Sequence, residues 1–163
     1  MPFYRFQIDS PLPAQTVLLR IRTLVREKPG FWQSIKESFG RRPADCPPFI
    51  GKVEGDAFRM YRDIRYRNSF LPQVRGSVVS TSRGSKVLIT MYLHPLVALF
   101  VLFWLGTVGI GALTALNSQN GNSGLALIPA GMFLFGIVLT VGAFYPEAFK
   151  ARKLLEQSIG TEF

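Results

Sequence analysis

Histidine and cysteine are almost missing from this chain: His94 and Cys46 are single copies in 163 residues. One cysteine excludes an internal disulfide and any multi-cysteine metal site, and it suits a reducing compartment. One histidine, beside Pro95, reads as a polar anchor rather than as a general base. Acidic side chains are scarce too, with 10 Asp/Glu against 19 Lys/Arg and a formal net charge of +9. Glu27, Glu37, Asp45, Glu54, Asp56 and Asp63 are dispersed, whereas acid–base chemistry needs neighbouring carboxylates with perturbed pKa values. Glu54-Gly55-Asp56 reads as the solvated tip of a turn. The chain has no Gly-rich phosphate loop, nucleophile elbow or metal-spaced cluster. The expectation is a non-enzymatic protein with no catalytic residue, no metal and no cofactor.

Charge of either sign is absent from two apolar runs, Leu96–Leu116 and Leu125–Tyr145, of 21 residues each. Wound as helices at about 1.5 Å per residue, each is roughly 31 Å long, which matches the hydrocarbon thickness of a bilayer. Eight polar or small residues, 117–124, lie between them. The pattern predicts a transmembrane hairpin over 95–145. It separates a basic domain, 1–94, from a tail helix over 146–163, with Tyr145-Pro146 closing the second span. The first 94 residues carry 16 basic and 7 acidic side chains, the tail 3 of each, and the inter-span loop none. By the positive-inside rule both termini are cytoplasmic and the loop is outside. The first residues lack the apolar core and cleavage site of a signal peptide, which leaves the hairpin as the insertion signal. The expected location is a bacterial inner or intracytoplasmic membrane.

Periodicity assigns the rest. Tyr4, Phe6 and Ile8 alternate as a strand. Ser10-Pro11 reads as a helix start, and Ala14, Val17, Leu18, Ile21, Leu24 and Val25 recur at helical spacing up to Pro29-Gly30. Phe31–Phe39 shows a second helical pattern, favoured as a cover for the sheet, and the prolines of 40–48 form a linker. From Phe49 the period is two: a hairpin turning at Glu54-Gly55-Asp56, then strands around Val74–Val78 and Val87–Leu93 joined at Ser82–Ser85. The fold class is α+β: strand, helix and antiparallel meander, then the hairpin and a short helix.

Phe49, Gly51 and Val53, followed by Tyr66, Arg67, Asn68, Ser69, Phe70 and Pro72, form a pattern. It resembles that of small bacterial two-span membrane proteins with a Phe-x-Gly-x-Val hairpin and a Tyr-Arg-Asn-Ser-Phe-x-Pro segment. The resemblance implies the architecture and carries no activity with it.

Two groups of candidate residues follow. Arg41, Arg42, Arg59, Arg62, Arg65 and Arg67, with Trp32, are expected to meet anionic lipid headgroups or a protein partner. Arg65 and Arg67 share a face if the second hairpin strand continues that far. Each cation near an anionic leaflet contributes about 1 kcal/mol. Positive-inside bias accounts for the charge without nucleic acid, for which no recognition module is present. In the spans, Thr107, Gly111 and Ala115, Ala126 and Ala130, and Gly136 and Thr140 fall at four-residue spacing that lets helices approach closely. With only Thr107, Thr114 and Thr140 as polar residues within the spans, a channel would require several copies. The expected function is an accessory or scaffolding subunit of a membrane complex, such as a photosynthetic or respiratory one. The alternative is a lipid-headgroup-binding or homo-oligomeric pore-like protein.

The topology has a direct test. A Ser118→Cys variant is expected to react with an impermeant thiol reagent from outside, while Cys46 does not; the reverse pattern refutes it.

Overall fold

The computed structural model describes residues 2–27, 46–117 and 124–159. Strand β1 (Phe3–Ser10) leads into α1 (Ala14–Leu24) and the short β2 (Val25–Arg26). Strands β3 (Phe49–Glu54), β4 (Ala57–Arg62), β5 (Gln73–Thr81) and β6 (Gly84–Tyr92) follow as a meander. Helices α2 (Pro95–Asn117) and α3 (Gly124–Ile159) complete the described elements. The six strands form one mixed sheet in the order β1-β6-β5-β4-β3-β2, with only the β2–β3 pair parallel among the described residues. The helix expected up to Pro29 stops at Leu24, because Val25 and Arg26 pair with Phe49 and Ile50 on the edge of β3. Ser10 belongs to β1 and does not cap α1, which begins at Ala14 after Pro13.

Strand alternation sorts the sheet into two faces. Ile8, Val87, Ile89, Met91, Val74, Val78, Phe58, Met60 and Phe49 are buried on one of them. Gly76 lies opposite Phe58, where an added Cβ would come within 2.1 Å of the ring's Cζ. The missing side chain makes room for the aromatic ring in the core. Glycines with positive φ serve both tight turns, Gly55 at 56° within the first and Gly84 at 131° directly after the second.

Two elements cover the buried face. Helix α1 contributes Val17, Leu18 and Ile21. The other cover is the C-terminal half of α3, whose Phe144, Ala148, Ala151, Leu155 and Ile159 all lie within 1% of complete burial. This corrects the expected separate tail helix: α3 runs unbroken for 36 residues, with Pro129 and Pro146 inside it. Pro146 cannot donate a backbone hydrogen bond, yet the buried stripe on either side holds the helix together. Fully burying Phe144, Leu155 and Ile159 contributes roughly 1.5–3 kcal/mol each. The last carbonyls of α3 also find donors, Ile159 from the Ser10 hydroxyl at 3.1 Å and Ser158 from Arg20 at 3.4 Å. Phe31–Phe39, the expected cover, lies outside the described residues.

Helices α2 and the first part of α3 are long and apolar enough to cross a membrane and are only 6% and 11% buried. They pack as a hairpin. Gly136 receives Leu105, whose Cδ2 would lie 3.0 Å from an added Cβ, and Gly109 and Gly111 approach Phe133 and Pro129. Ala126 and Thr140 are buried, while Thr107 and Ala130 are exposed and lie off this seam. Ala115 is half-buried.

If the end of α3 is part of the domain core, Leu155→Ala should cost about 2–5 kcal/mol of stability. Lys153→Ala, on the exposed side of the same turn, should cost well under 1 kcal/mol. Thermal unfolding of the purified full chain in detergent measures both.

Candidate anion-binding face

The second face of the sheet is not covered by α1 or α3. One end of this face lies next to the start of α2 by chain connectivity, since β6 ends at Tyr92 and α2 starts at Pro95. Registered across the strands at this end are Phe3, Tyr92, Gln73, Tyr61 and Ile50. Two residues further along each strand, about 7 Å away, runs a second line: Arg5, Thr90, Arg75, Arg59 and Lys52. Arg5, Lys52, Arg59 and Arg75 are all exposed. Lys52, Arg59 and Arg75 stand on three adjacent strands, within about 10 Å of one another at the backbone.

Like charges placed directly opposite each other destabilise a sheet. Among the described residues, the ion pairs are Arg26 with Asp63, Arg62 with Glu147, Lys86 with Asp9, Lys150 with Glu147, and Arg152 with Glu156. None of them includes a member of the cation line. A groove of about 530 Å³ lies over it, lined by Lys52, Arg59, Arg75, Tyr61, Tyr92 and His94, with Glu54 at one end. The Arg75 guanidinium sits 5.3 Å from the centre of the Tyr92 ring, a cation–π contact that limits where its fork can point. Burial, together with the charge of Asp63 and against that of Arg26, raises the Tyr61 hydroxyl above its usual range and keeps it a neutral donor. Two arginine forks and a lysine ammonium on one face, none of them ion-paired among the described residues and with a single carboxylate, Glu54, at the groove's end, are suited to binding phosphate or carboxylate groups.

The 63–72 segment does different work. It straps the domain to α3. Glu147 is 3% exposed, and its carboxylate accepts from the Arg62 guanidinium, the Tyr66 hydroxyl and, at 3.1 Å, the Lys150 ammonium. Asn68 donates through Nδ2 to the Ala143 carbonyl at 3.1 Å, while its Oδ1 accepts from the Phe70 amide at 2.9 Å. That side-chain turn forms without a positive φ at Asn68, since no described non-glycine residue has one. Phe70 reaches a crevice of about 200 Å³ between α2 and α3, beside Trp104, Leu105, Gly136 and Thr140.

The arginine run therefore divides. Arg59 joins the open-face line, and Arg62 points to the covered face and pairs with Glu147. Strand β4 ends at Arg62, so Arg65 and Arg67 are exposed loop residues and share no strand face. Trp32, Arg41 and Arg42 lie outside the described residues. Arg5, Lys52 and Arg75 were not foreseen as binding residues. The two-residue turns at Gly55-Asp56 and Ser82-Arg83 contained part of the signal, since they fix Lys52 opposite Arg59 and Arg75 opposite Thr90.

No family model, curated protein or solved structure matches this chain. Among the described residues, no group of three or more His, Cys, Asp or Glu could hold a metal ion.

The clasp at Glu147 sets an acid limit. Burial alone would raise its pKa, but the Tyr66 hydroxyl, Lys150 and Arg62 together pull it below the ordinary 4.5. A carboxylate held below its unfolded value stabilises the fold above that value, and the stabilisation is lost as pH falls through the folded one. The thermal midpoint of the parent should therefore drop below about pH 4.5, and Glu147→Gln should drop less steeply over the same interval. Equal slopes in a pH series would show that the clasp contributes nothing to acid sensitivity.

Proposed function

We propose that this chain is a two-span integral membrane protein, with both termini in the cytosol, that acts by binding anionic groups at the membrane surface. It works as an accessory or scaffolding element rather than as an enzyme. The observation that carries this reading is the line of exposed cations Arg5, Arg75, Arg59 and Lys52 on the open face of the sheet. Three further features support it. Two helices are long and apolar enough to cross a bilayer. Only two residues separate β6 from α2. The basic charge is concentrated in the first 94 residues. A domain held this way keeps its cations near an anionic leaflet, within the screening length of about 8–10 Å.

Membrane integration is tested by alkaline carbonate extraction, after which the chain should stay with the membranes. The binding face is tested on the full chain in neutral detergent by salt elution from phosphocellulose. Arg59→Gln with Arg75→Gln should elute at markedly lower salt than Arg65→Gln with Arg67→Gln, which removes the same charge from the loop. Equal shifts for the two pairs would mean that net charge, and not this face, governs binding.

A further inference from the structure

The open face can be assigned a ligand class. Resting on the reading that the chain spans the membrane with this face at the cytosolic leaflet, we propose that Lys52, Arg59 and Arg75 bind the phosphomonoester headgroup of an anionic lipid.

Charge comes first. Three cations on adjacent strands, with no paired carboxylate among the described residues, present more positive charge than one phosphodiester can neutralise. A phosphomonoester carries about −1.5 to −2 at neutral pH and offers three acceptor oxygens. Neighbouring cations favour its second ionisation. Two arginine forks and one ammonium can donate to all three oxygens at once. Thr90, registered between Arg75 and Arg5 in the same line, adds a hydroxyl next to Arg75 on the neighbouring strand.

Depth comes second. The cation line is about 7 Å along the strands from the row containing Tyr92 and Tyr61, and that row is itself the end of the sheet nearest Pro95. Tyrosines of this kind sit at the membrane–water boundary. Exposed Phe3 and half-buried Tyr92 and Tyr61 then face the glycerol and upper acyl region, while the cations lie at phosphate height. A soluble phosphate ester would use the cations but leave this amphipathic row without a partner. The groove's 530 Å³ is within the usual range for a small-molecule site, enough for a headgroup and its glycerol.

Preorganisation comes third. Arg75 is held against the Tyr92 ring, and Arg59 and Lys52 are fixed in register by the Gly55-Asp56 turn. Because strands carry all three, binding has side chains to order but not backbone.

The test uses the full chain in neutral detergent and calorimetric titration with dioctanoyl phosphatidic acid, dioctanoyl phosphatidylglycerol, dioctanoyl phosphatidylcholine, glycerol 3-phosphate and a polyglutamate peptide. Phosphatidic acid should bind at least ten-fold more tightly than phosphatidylglycerol and than glycerol 3-phosphate, with phosphatidylcholine weakest. Arg59→Gln with Arg75→Gln should lower phosphatidic acid affinity at least ten-fold while the thermal midpoint stays at the parental value. Arg62→Gln, on the covered face, should destabilise the chain but leave the preference among lipids. Equal binding of phosphatidic acid and phosphatidylglycerol overturns the phosphomonoester assignment. Unchanged affinity in the double variant overturns the site, and tighter binding of polyglutamate makes the occupant an acidic protein. Loss of the chain from carbonate-washed membranes is a different failure, which would overturn the membrane reading itself.

Discussion

Everything in this architecture depends on α3 being one helix. Its first half is apolar and largely exposed, long enough to cross a membrane, and its second half is part of the core of the sheet domain. The change of environment falls at Tyr145–Glu147. There Pro146 removes a hydrogen-bond donor from the helix interior, a defect that costs about 3 kcal/mol in isolation. Compensation comes from outside the helix. Glu147 is held by Arg62, Tyr66 and Lys150, and the Ala143 carbonyl takes the Asn68 amide. Burial of Phe144 and Ala148 on the sheet spans the same point. A buried carboxylate is strongly unfavourable without such partners, so the strap and the helix need each other.

Continuity in α3 dictates which side of the sheet is available. A sheet has two faces, and the described helices α1 and α3 cover one of them. Helix α3 enters at the end near Tyr4 and Arg62 and leaves near Ser10, where Ile159 is held by the Ser10 hydroxyl. With α1 beside it, the apolar face is sealed. The polar face remains, and its side chains are not the alternating charges that would make a sheet surface indifferent. Arg59 lies directly opposite both Lys52 and Arg75. Cross-strand repulsion of this kind costs a few tenths of a kcal/mol to about 1 kcal/mol per pair. Folding gains nothing from that arrangement, and an anionic ligand does.

Much of the fold was legible in the residues. The two uncharged runs, the period-two stretches after Phe49 and the tight turns appear in the structure as α2, the start of α3 and the β3–β6 meander. Local rules failed where distant contacts overrode them. Pro146 reads as a helix stop, yet a stripe buried against the sheet carries the helix through it. Ser10 reads as an N-cap, yet its hydroxyl serves a carbonyl 149 residues away. Val25 and Arg26 continue a helical pattern, yet the open edge of β3 draws them into the sheet. The candidate site was half legible for the same reason. Each hairpin turn fixes its own register, but the joining of β4 to β5 and of β1 to β6 is a tertiary fact. Arg5, Lys52, Arg59 and Arg75 therefore look unrelated until the strands are assembled. Conversely Arg59, Arg62, Arg65 and Arg67 look like one group and are three, because a strand sends alternate residues to opposite faces and ends at Arg62.

Strand β4 links the two halves of the argument. Arg59 stands on its open face, and Arg62, three residues on, closes the clasp with Glu147 on the other. The groove and α3 are thus joined through a single short strand and not through a flexible tether. A flexible linker would let the domain sample many heights and would charge each binding event the entropy of settling at one of them. Here that ordering is already done when the chain folds. The height of the cation line above the hairpin is set by β6 running into α2 and by α3 running into the core. A rigid mounting adds nothing to a protein that collects anions from bulk solution. It suits the proposed ligand, because the phosphates of a leaflet would all lie in one plane at a constant distance from the two apolar helices.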